Sequence, residues 1–170
     1  KTMLFKDNHS HRAGGALYSN TSSPIIIYGN TEFVNNSSST SGGAIYTAGP
    51  LTVSDTLFDS NSCVYSGGSI YHHYTKAEFE RREMTLKDCE FKNNSANLGG
   101  AVILSASDTV AETGMGTFAD IEGCKFEGNR ALALDGSNGN GGAVYVTRKS
   151  EAVIKDCTFD SNSAEKGEGL

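Results

Sequence analysis

The chain has 170 residues and a formal net charge of −6, with 14 Lys and Arg against 20 Asp and Glu. Nucleic acid is a disfavoured partner, because it is gripped chiefly through its phosphates and the few cations here are scattered. Twenty glycines beside two prolines fit neither a collagen repeat nor a disordered tract, and with no run of 18 apolar residues no membrane contact is expected of this segment.

In chain order the sequence is one degenerate unit written several times over. It opens in mid-unit at Lys1-Thr2-Met3-Leu4-Phe5, and Phe5-x-x-Asn8 is followed by Gly14-Gly15-Ala16-Leu17. The second copy runs Ile26-x-Tyr28, Gly29-Asn30, Thr31-x-Phe33, Asn36, then Gly42-Gly43-Ala44-Ile45. The third is Leu51-x-Val53, Ser54-Asp55, Thr56-x-Phe58, Asn61, Gly67-Gly68-Ser69-Ile70. The fourth is Met84-x-Leu86, Lys87-Asp88, Cys89-x-Phe91, Asn94, Gly99-Gly100-Ala101-Val102. The fifth is Ala119-x-Ile121, Glu122-Gly123, Cys124-x-Phe126, Asn129, Gly141-Gly142-Ala143-Val144. The sixth, Ala152-x-Ile154, Lys155-Asp156, Cys157-x-Phe159, Asn162, breaks off near Gly167. The expectation is a single domain over residues 1–170, cut from a longer array whose flanking coils would pack on both ends.

Apolar residues two apart mark strands, because side chains alternate faces. Each strand spans three to five residues, and the two-residue polar corners between strands leave no room for a helical crossover. Three such strands make about one turn of a coil. The Phe-to-Phe steps are 28, 25, 33, 35 and 33 residues, too short for a four-stranded propeller blade. The fold class is therefore all-β, a parallel β-helix solenoid of about five to six coils without major helices. Stacking turns each motif into a file. Phe5, Phe33, Phe58, Phe91, Phe126 and Phe159 form an interior aromatic stack. Asn8, Asn36, Asn61, Asn94, Asn129 and Asn162 form a corner file in which each amide is satisfied by the coils above and below, and Asn also tolerates left-handed backbone. The Gly-Gly pairs supply a tight corner and close approach of the next strand. Ser10, Ser38, Cys63, Ala96, Ala131 and Ala164, two past each Asn, are a file of small residues. Cys89, Cys124 and Cys157 share one position and are expected as buried free thiols.

Variation is confined to insertions. Ser19 to Pro24, His72 to Glu83 and Ser105 to Thr117 follow the Gly-Gly strand and should emerge along one edge of the rod; Leu132 to Asn140 precedes one. Binding tends to reside on loops carried by a rigid scaffold. Tyr18, Tyr46, Tyr71, Ile103 and Tyr145 come one residue after the aliphatic position, so they face outward if Leu17, Ile45, Ile70, Val102 and Val144 face inward; the reverse facing would bury the tyrosines. The candidate binding strip is Tyr18, Tyr46, Tyr71 and Tyr145, with His72, His73 and Arg82 in the adjoining insertion.

No catalytic residues are assigned. Glycoside hydrolysis needs two carboxylates across a cleft, whereas Asp55, Asp88, Glu122 and Asp156 recur as a corner row, with Lys87/Asp88 and Lys155/Asp156 reading as surface pairs. His9 and His11 are two metal-ligand types without a third. No metal or other cofactor is expected, and no zinc or phosphate-binding motif occurs.

The pairing of Phe-x-x-Asn with Gly-Gly-Ala-(Ile/Leu/Val), at the Phe, Asn and Gly positions given above, resembles the repeats of the polymorphic outer-membrane protein family, the chlamydial-type autotransporter passengers. Ser69 in place of Ala and the long Asn129–Gly141 interval depart from that pattern. The resemblance implies a right-handed β-helix passenger, extracellular and displayed on a bacterial outer membrane, acting as an adhesin for a host surface protein or glycan. A carbohydrate-active β-helix enzyme fragment and a purely structural spacer are the alternatives.

Overall fold

A computed structural model describes residues 2–74, 82–106, 116–134, 139–147 and 149–166. Their backbone is strand and turn throughout, with no helix among them. The strands form four parallel sheets wound into a right-handed β-helix. One sheet holds Leu4–Lys6 (β1), Thr31–Val34 (β5), Thr56–Asp59 (β9), Glu90–Lys92 (β13), Lys125–Glu127 (β17) and Thr158–Asp160 (β21). The tyrosine-bearing sheet holds Leu17–Ser19 (β3), Ile45–Thr47 (β7), Ile70–Tyr74 (β11), Val102–Ala106 (β15) and Val144–Val146 (β19). The next holds Ile25–Ile27 (β4), Leu51–Ser54 (β8), Arg82–Lys87 (β12), Thr117–Glu122 (β16) and Glu151–Lys155 (β20). The sequence reading counted three strands per coil; the structure has a fourth. It is a row of two-residue strands just past each Asn, from His9–Ser10 (β2) to Ser163–Ala164 (β22). Two residues are too few to show an alternation, so this sheet leaves no apolar signature.

The Phe residues stack in register from Phe5 to Phe159, with centroids 4.5–4.9 Å apart and planes within 5°. Phe33, Phe58, Phe91 and Phe126 are fully buried; Phe5 is only half-buried and Phe159 is 39% exposed, since each lies on a terminal coil that only one neighbour covers. Around this stack pack Ile45, Ile70 and Val102 from the tyrosine-bearing sheet and Leu51, Val53, Met84, Leu86 and Ile121 from the next.

The corners are built from three files of left-handed residues. In one, Asp55, Asp88 and Asp156 at φ 49–51° align with Gly123 at φ 64°. Glu122 therefore does not belong to the acidic corner row; it sits one residue earlier, in register with Lys87 and Lys155. In the second, Asp7, Asn35, Ser60, Asn93, Gly128 and Ser161 carry the positive φ. The left-handed role expected of the ladder Asn thus falls on the residue before it, which frees the ladder amide to point inward. The third file is the first glycine of each pair, as at Gly67 (φ 69°), while a Cβ on the second, Gly68, would overlap the carbonyl oxygen of Gly100 in the next coil.

Asn36, Asn61, Asn94 and Asn129 are fully buried. Asn94 shows the pattern: Nδ2 donates to Asn129 Oδ1 at 2.9 Å and to Phe58 O at 3.0 Å, while Oδ1 accepts from Asn61 N at 2.9 Å and Asn61 Nδ2 at 3.1 Å. Both donors and two acceptor sites are used, which offsets the cost of burying a primary amide. The terminal members differ: Asn8 is exposed and Asn162 half-buried.

The cysteines are free, and they stand in for hydroxyls. Thr56 Oγ1 donates to Ser54 O at 2.8 Å, and in the same corner position Cys89 Sγ, Cys124 Sγ and Cys157 Sγ donate to Lys87, Glu122 and Lys155 carbonyls at 3.2, 3.4 and 3.1 Å. Cys63 repeats the bond of Ser38 Oγ to Ser41 O (3.1 Å), donating to Ser66 O at 3.2 Å. Cys89 and Cys124 are buried, but Cys157, expected inside, is half-buried on the last coil.

Candidate functional site

Alternation along the tyrosine-bearing sheet decides what reaches the surface. Ile45, Ile70 and Val102 point inward and are fully buried, so the residues after them point out. Tyr18 is 56% exposed and Tyr46 and Tyr71 are half-buried. Tyr18 and Tyr46 stack at 4.9 Å and 19°, Tyr46 and Tyr71 at 5.2 Å and 29°. Burial, and then the neighbouring phenols of Tyr71 and Tyr18, push the Tyr46 hydroxyl up to about 12.

Several residues of the expected strip fall elsewhere. β11 continues to Tyr74, so His72 lies within the strand and points inward; it is fully buried, with Nε2 3.1 Å from Gly49 O. His73, one further on, faces out and stacks on Tyr71 at 5.2 Å. Tyr145 is half-buried and separated from Tyr71 by Ile103, which takes the intervening register position and is only 2% exposed. The aromatic file therefore ends at Tyr71 and His73. Arg81 lies outside the described residues, as do 75–80, 107–115 and 135–138 of the insertions; Arg82 opens β12, and its side chain is likewise outside them. Of the connections between the tyrosine-bearing sheet and the next sheet, the described ones at 20–24 and 48–50 lie one above the other, with Ala48 N–H donating to Ser19 O at 3.0 Å.

The file borders a surface depression of about 600 Å³, lined by Ser10, His11, Arg12, Ala13, Gly14 and Thr40 on the corner side and by Tyr18 and Tyr46 on the sheet. Tyr65, 58% exposed, extends the corner wall by one coil, its N–H donating to Thr40 O at 2.8 Å. Arg12, Thr40 and Tyr65 each stand two residues before a Gly-Gly pair, and that fixed offset was the signal the sequence reading passed over.

A second depression, of about 430 Å³, is acidic, with Glu32, Asp55, Asp88 and Glu90 among its lining residues. Glu90 accepts an ion pair from Lys92 at 2.7 Å and one from Lys125 at 3.4 Å, and the Lys92 hydrogen bond holds its carboxyl below the usual range. A glycosidase general acid needs the opposite shift. Lys155 pairs with Asp120 of the preceding coil at 3.6 Å rather than with adjacent Asp156, because same-face residues of neighbouring strands meet whereas sequence neighbours diverge. Among the described residues no group of three or more His, Cys, Asp or Glu is placed to hold a metal ion, and no helix is long and apolar enough to cross a membrane. His9 and His11 meet edge-on at 4.9 Å, and His9 Nδ1 is 2.9 Å from Ser37 Oγ.

The chain is similar to the Chlamydia polymorphic membrane protein repeat, whose family model matches residues 2–20, 30–48 and 123–147. Those segments hold three copies of the Phe, Asn and Gly-Gly signature and make up less than half of the chain. No curated protein and no solved structure matches it.

Proposed function

We propose that this segment is a non-catalytic module of a surface-displayed β-helix passenger, and that it adheres to a host protein or glycan through the outward file of Tyr18, Tyr46, Tyr71 and His73. The observation that carries the reading is the stacked aromatic file itself. Outward positions of a solvated sheet ordinarily take hydrated side chains, as all but Leu57 do in the file Glu32, Leu57, Glu90 and Lys125 on the Phe-bearing sheet. Three tyrosines in file, one per coil, with His73 beside Tyr71 on the same strand, instead offer a rigid, amphipathic contact area that loses little conformational entropy on binding. The partial match to the polymorphic membrane protein repeat supports display outside a bacterial cell, with further coils continuing the rod.

The test is attachment to cells and to a glycan array, compared between the parent chain and a Tyr46→Ala/Tyr71→Ala variant whose circular dichroism is unchanged. Attachment lost in the folded variant is the expected result. Attachment that survives the double substitution refutes the role of the file. An absence of binding by the parent to any cell or glycan indicates a spacer, and turnover of a polysaccharide overturns the non-catalytic reading.

A further inference from the structure

We infer that the depression beside the tyrosine file binds an anionic saccharide, with sugar rings against Tyr18 and Tyr46 and an acidic group of the sugar at Arg12. This rests on the adhesion reading above and narrows it to a ligand class.

Charge is the first argument. The chain carries a formal charge of −6, and one of its other surface depressions is lined by four carboxylates. The depression at the tyrosine file has no carboxylate in its lining; it has Arg12 and His11. Among the described residues no ion pair engages Arg12, whose backbone N–H donates to Ser10 Oγ at 3.2 Å. A guanidinium left without a carboxylate on an acidic protein, at the mouth of a concavity, is suited to the planar two-point grip that carboxylate and sulfate groups accept.

Shape is the second. The aromatic file advances by one ring per coil, at 4.9 and 5.2 Å, close to the length of one pyranose unit. Because the tyrosines stack on one another, they present apolar ring edges and phenolic hydroxyls to such a ring. The opposite wall, Arg12 and Thr40, rises at the same pace, Thr40 N–H donating to Arg12 O at 2.9 Å, and adds polar groups. A saccharide chain lying along the rod axis therefore meets one outward tyrosine in each of three successive coils, with a lining cation only at Arg12.

The backbone is the third, and it separates a sugar from an acidic peptide. An extended peptide usually binds by adding a strand to a free sheet edge. Here β3 pairs with β7 and β7 with β11, and the corner amides of Gly14, Gly15 and Ala16 already donate to Ser41, Gly42 and Ala44 carbonyls. The floor between Tyr18 and Tyr46 thus presents side chains, the one unpaired edge of this sheet nearby being the side of β3 turned away from Tyr46, and side-chain recognition is how sugars are held.

The experiment is calorimetric titration of the intact chain with a hyaluronan hexasaccharide (carboxylate only), a heparin hexasaccharide (carboxylate and sulfate), neutral maltohexaose and a Glu-rich decapeptide. At least one anionic sugar should bind, less tightly as salt rises, and the better of the two identifies the preferred acid group. Arg12→Gln and Tyr18→Ala, each with unchanged circular dichroism, should each weaken that binding about tenfold, the effect of losing roughly 1.4 kcal/mol. Equal binding of maltohexaose, tighter binding of the peptide, or an Arg12→Gln variant indistinguishable from the parent would overturn the assignment. If Tyr46→Ala/Tyr71→Ala abolishes cell attachment while neither anionic sugar binds or competes, the ligand class is wrong and the adhesive file stands. If neither set of substitutions affects attachment, both fail.

Discussion

Replacing Asn94 with Ala tests the corner ladder at its most buried point. The substitution removes both donors and both acceptor contacts of an amide that is fully buried. Asn61 N–H and Phe58 C=O then lose the partners they had at 2.9 and 3.0 Å, and one Asn61 amide proton loses Asn94 Oδ1. Asn129 Oδ1 keeps its bond from the Asn94 backbone N–H at 3.1 Å, so it is not orphaned. Two stranded backbone groups at about 1–3 kcal/mol each give an expected loss of about 2–6 kcal/mol. Asn94→Asp preserves size but sets an acceptor against both Phe58 O and Asn129 Oδ1, so it should be at least as damaging. Asn8→Ala is the internal control: Asn8 is exposed and donates to Asn36 Oδ1 at 2.8 Å, and Asn36 Oδ1 still accepts from Asn8 N at 3.1 Å. Its cost should be within about 0.5 kcal/mol. Urea unfolding followed by circular dichroism measures all three, with unchanged m-values showing that the exposed surface is comparable. A loss below about 1 kcal/mol at Asn94, or equal losses at Asn94 and Asn8, would refute the account.

Four further outcomes follow from particular sites. Phe91→Ala should cost about 3–5 kcal/mol in the same assay, and the 39%-exposed Phe159 clearly less; equal costs would mean that the stack is not what stabilises Phe91. Ser69 is fully buried, and its Oγ has no hydrogen-bond partner among the described residues, so Ser69→Ala should stabilise by about 1 kcal/mol; a loss of stability would show that the hydroxyl is satisfied. Thiol labelling of the native chain should reach half-buried Cys157 first and Cys63 slowly, since burial pushes the Cys63 thiol up to about 12; Cys89 and Cys124 should label only on unfolding, and rapid native reaction of all four would contradict the burial. Tyr46 is raised from its ordinary 10.0 to about 12, so the folded chain keeps a proton that the unfolded chain releases; stability from this group is intact below about pH 10 and is lost as pH rises through 12, with a delayed phenolate absorbance that Tyr46→Phe should remove.

Much of the fold could be read from the sequence because a solenoid makes spatial neighbours of equivalent residues. Phe58 touches Phe91, and Asn61 touches Asn94, for the same reason that the motif recurs: each coil lies one strand spacing above the last. The chemical demand at a file position is local and repeated, so it is written into every copy. Thr56 and Cys89 satisfy one such demand, a small donor closing a corner, with different atoms.

The candidate site was less legible, because what faces solvent depends on where a strand stops and on what lies across the coil. His72 was read as the start of an insertion, but it takes the register position of the buried Thr47 at the end of β7 and is turned in by the same alternation, while β11 continues past it and turns His73 out. Ile103 breaks the tyrosine file while being only 2% exposed on a face that is open at Tyr18, a difference in coverage that no repeat position encodes. Arg12 and Thr40 belong to no apolar period, and they join Tyr18 and Tyr46 only because the corner wall folds beside the sheet. Repetition along the chain therefore determined the coil, its aromatic core and its amide ladder, since those are contacts between like residues. The groove is made of unlike residues from different sides of the coil, and their meeting was decided by the way the coil closes around its core.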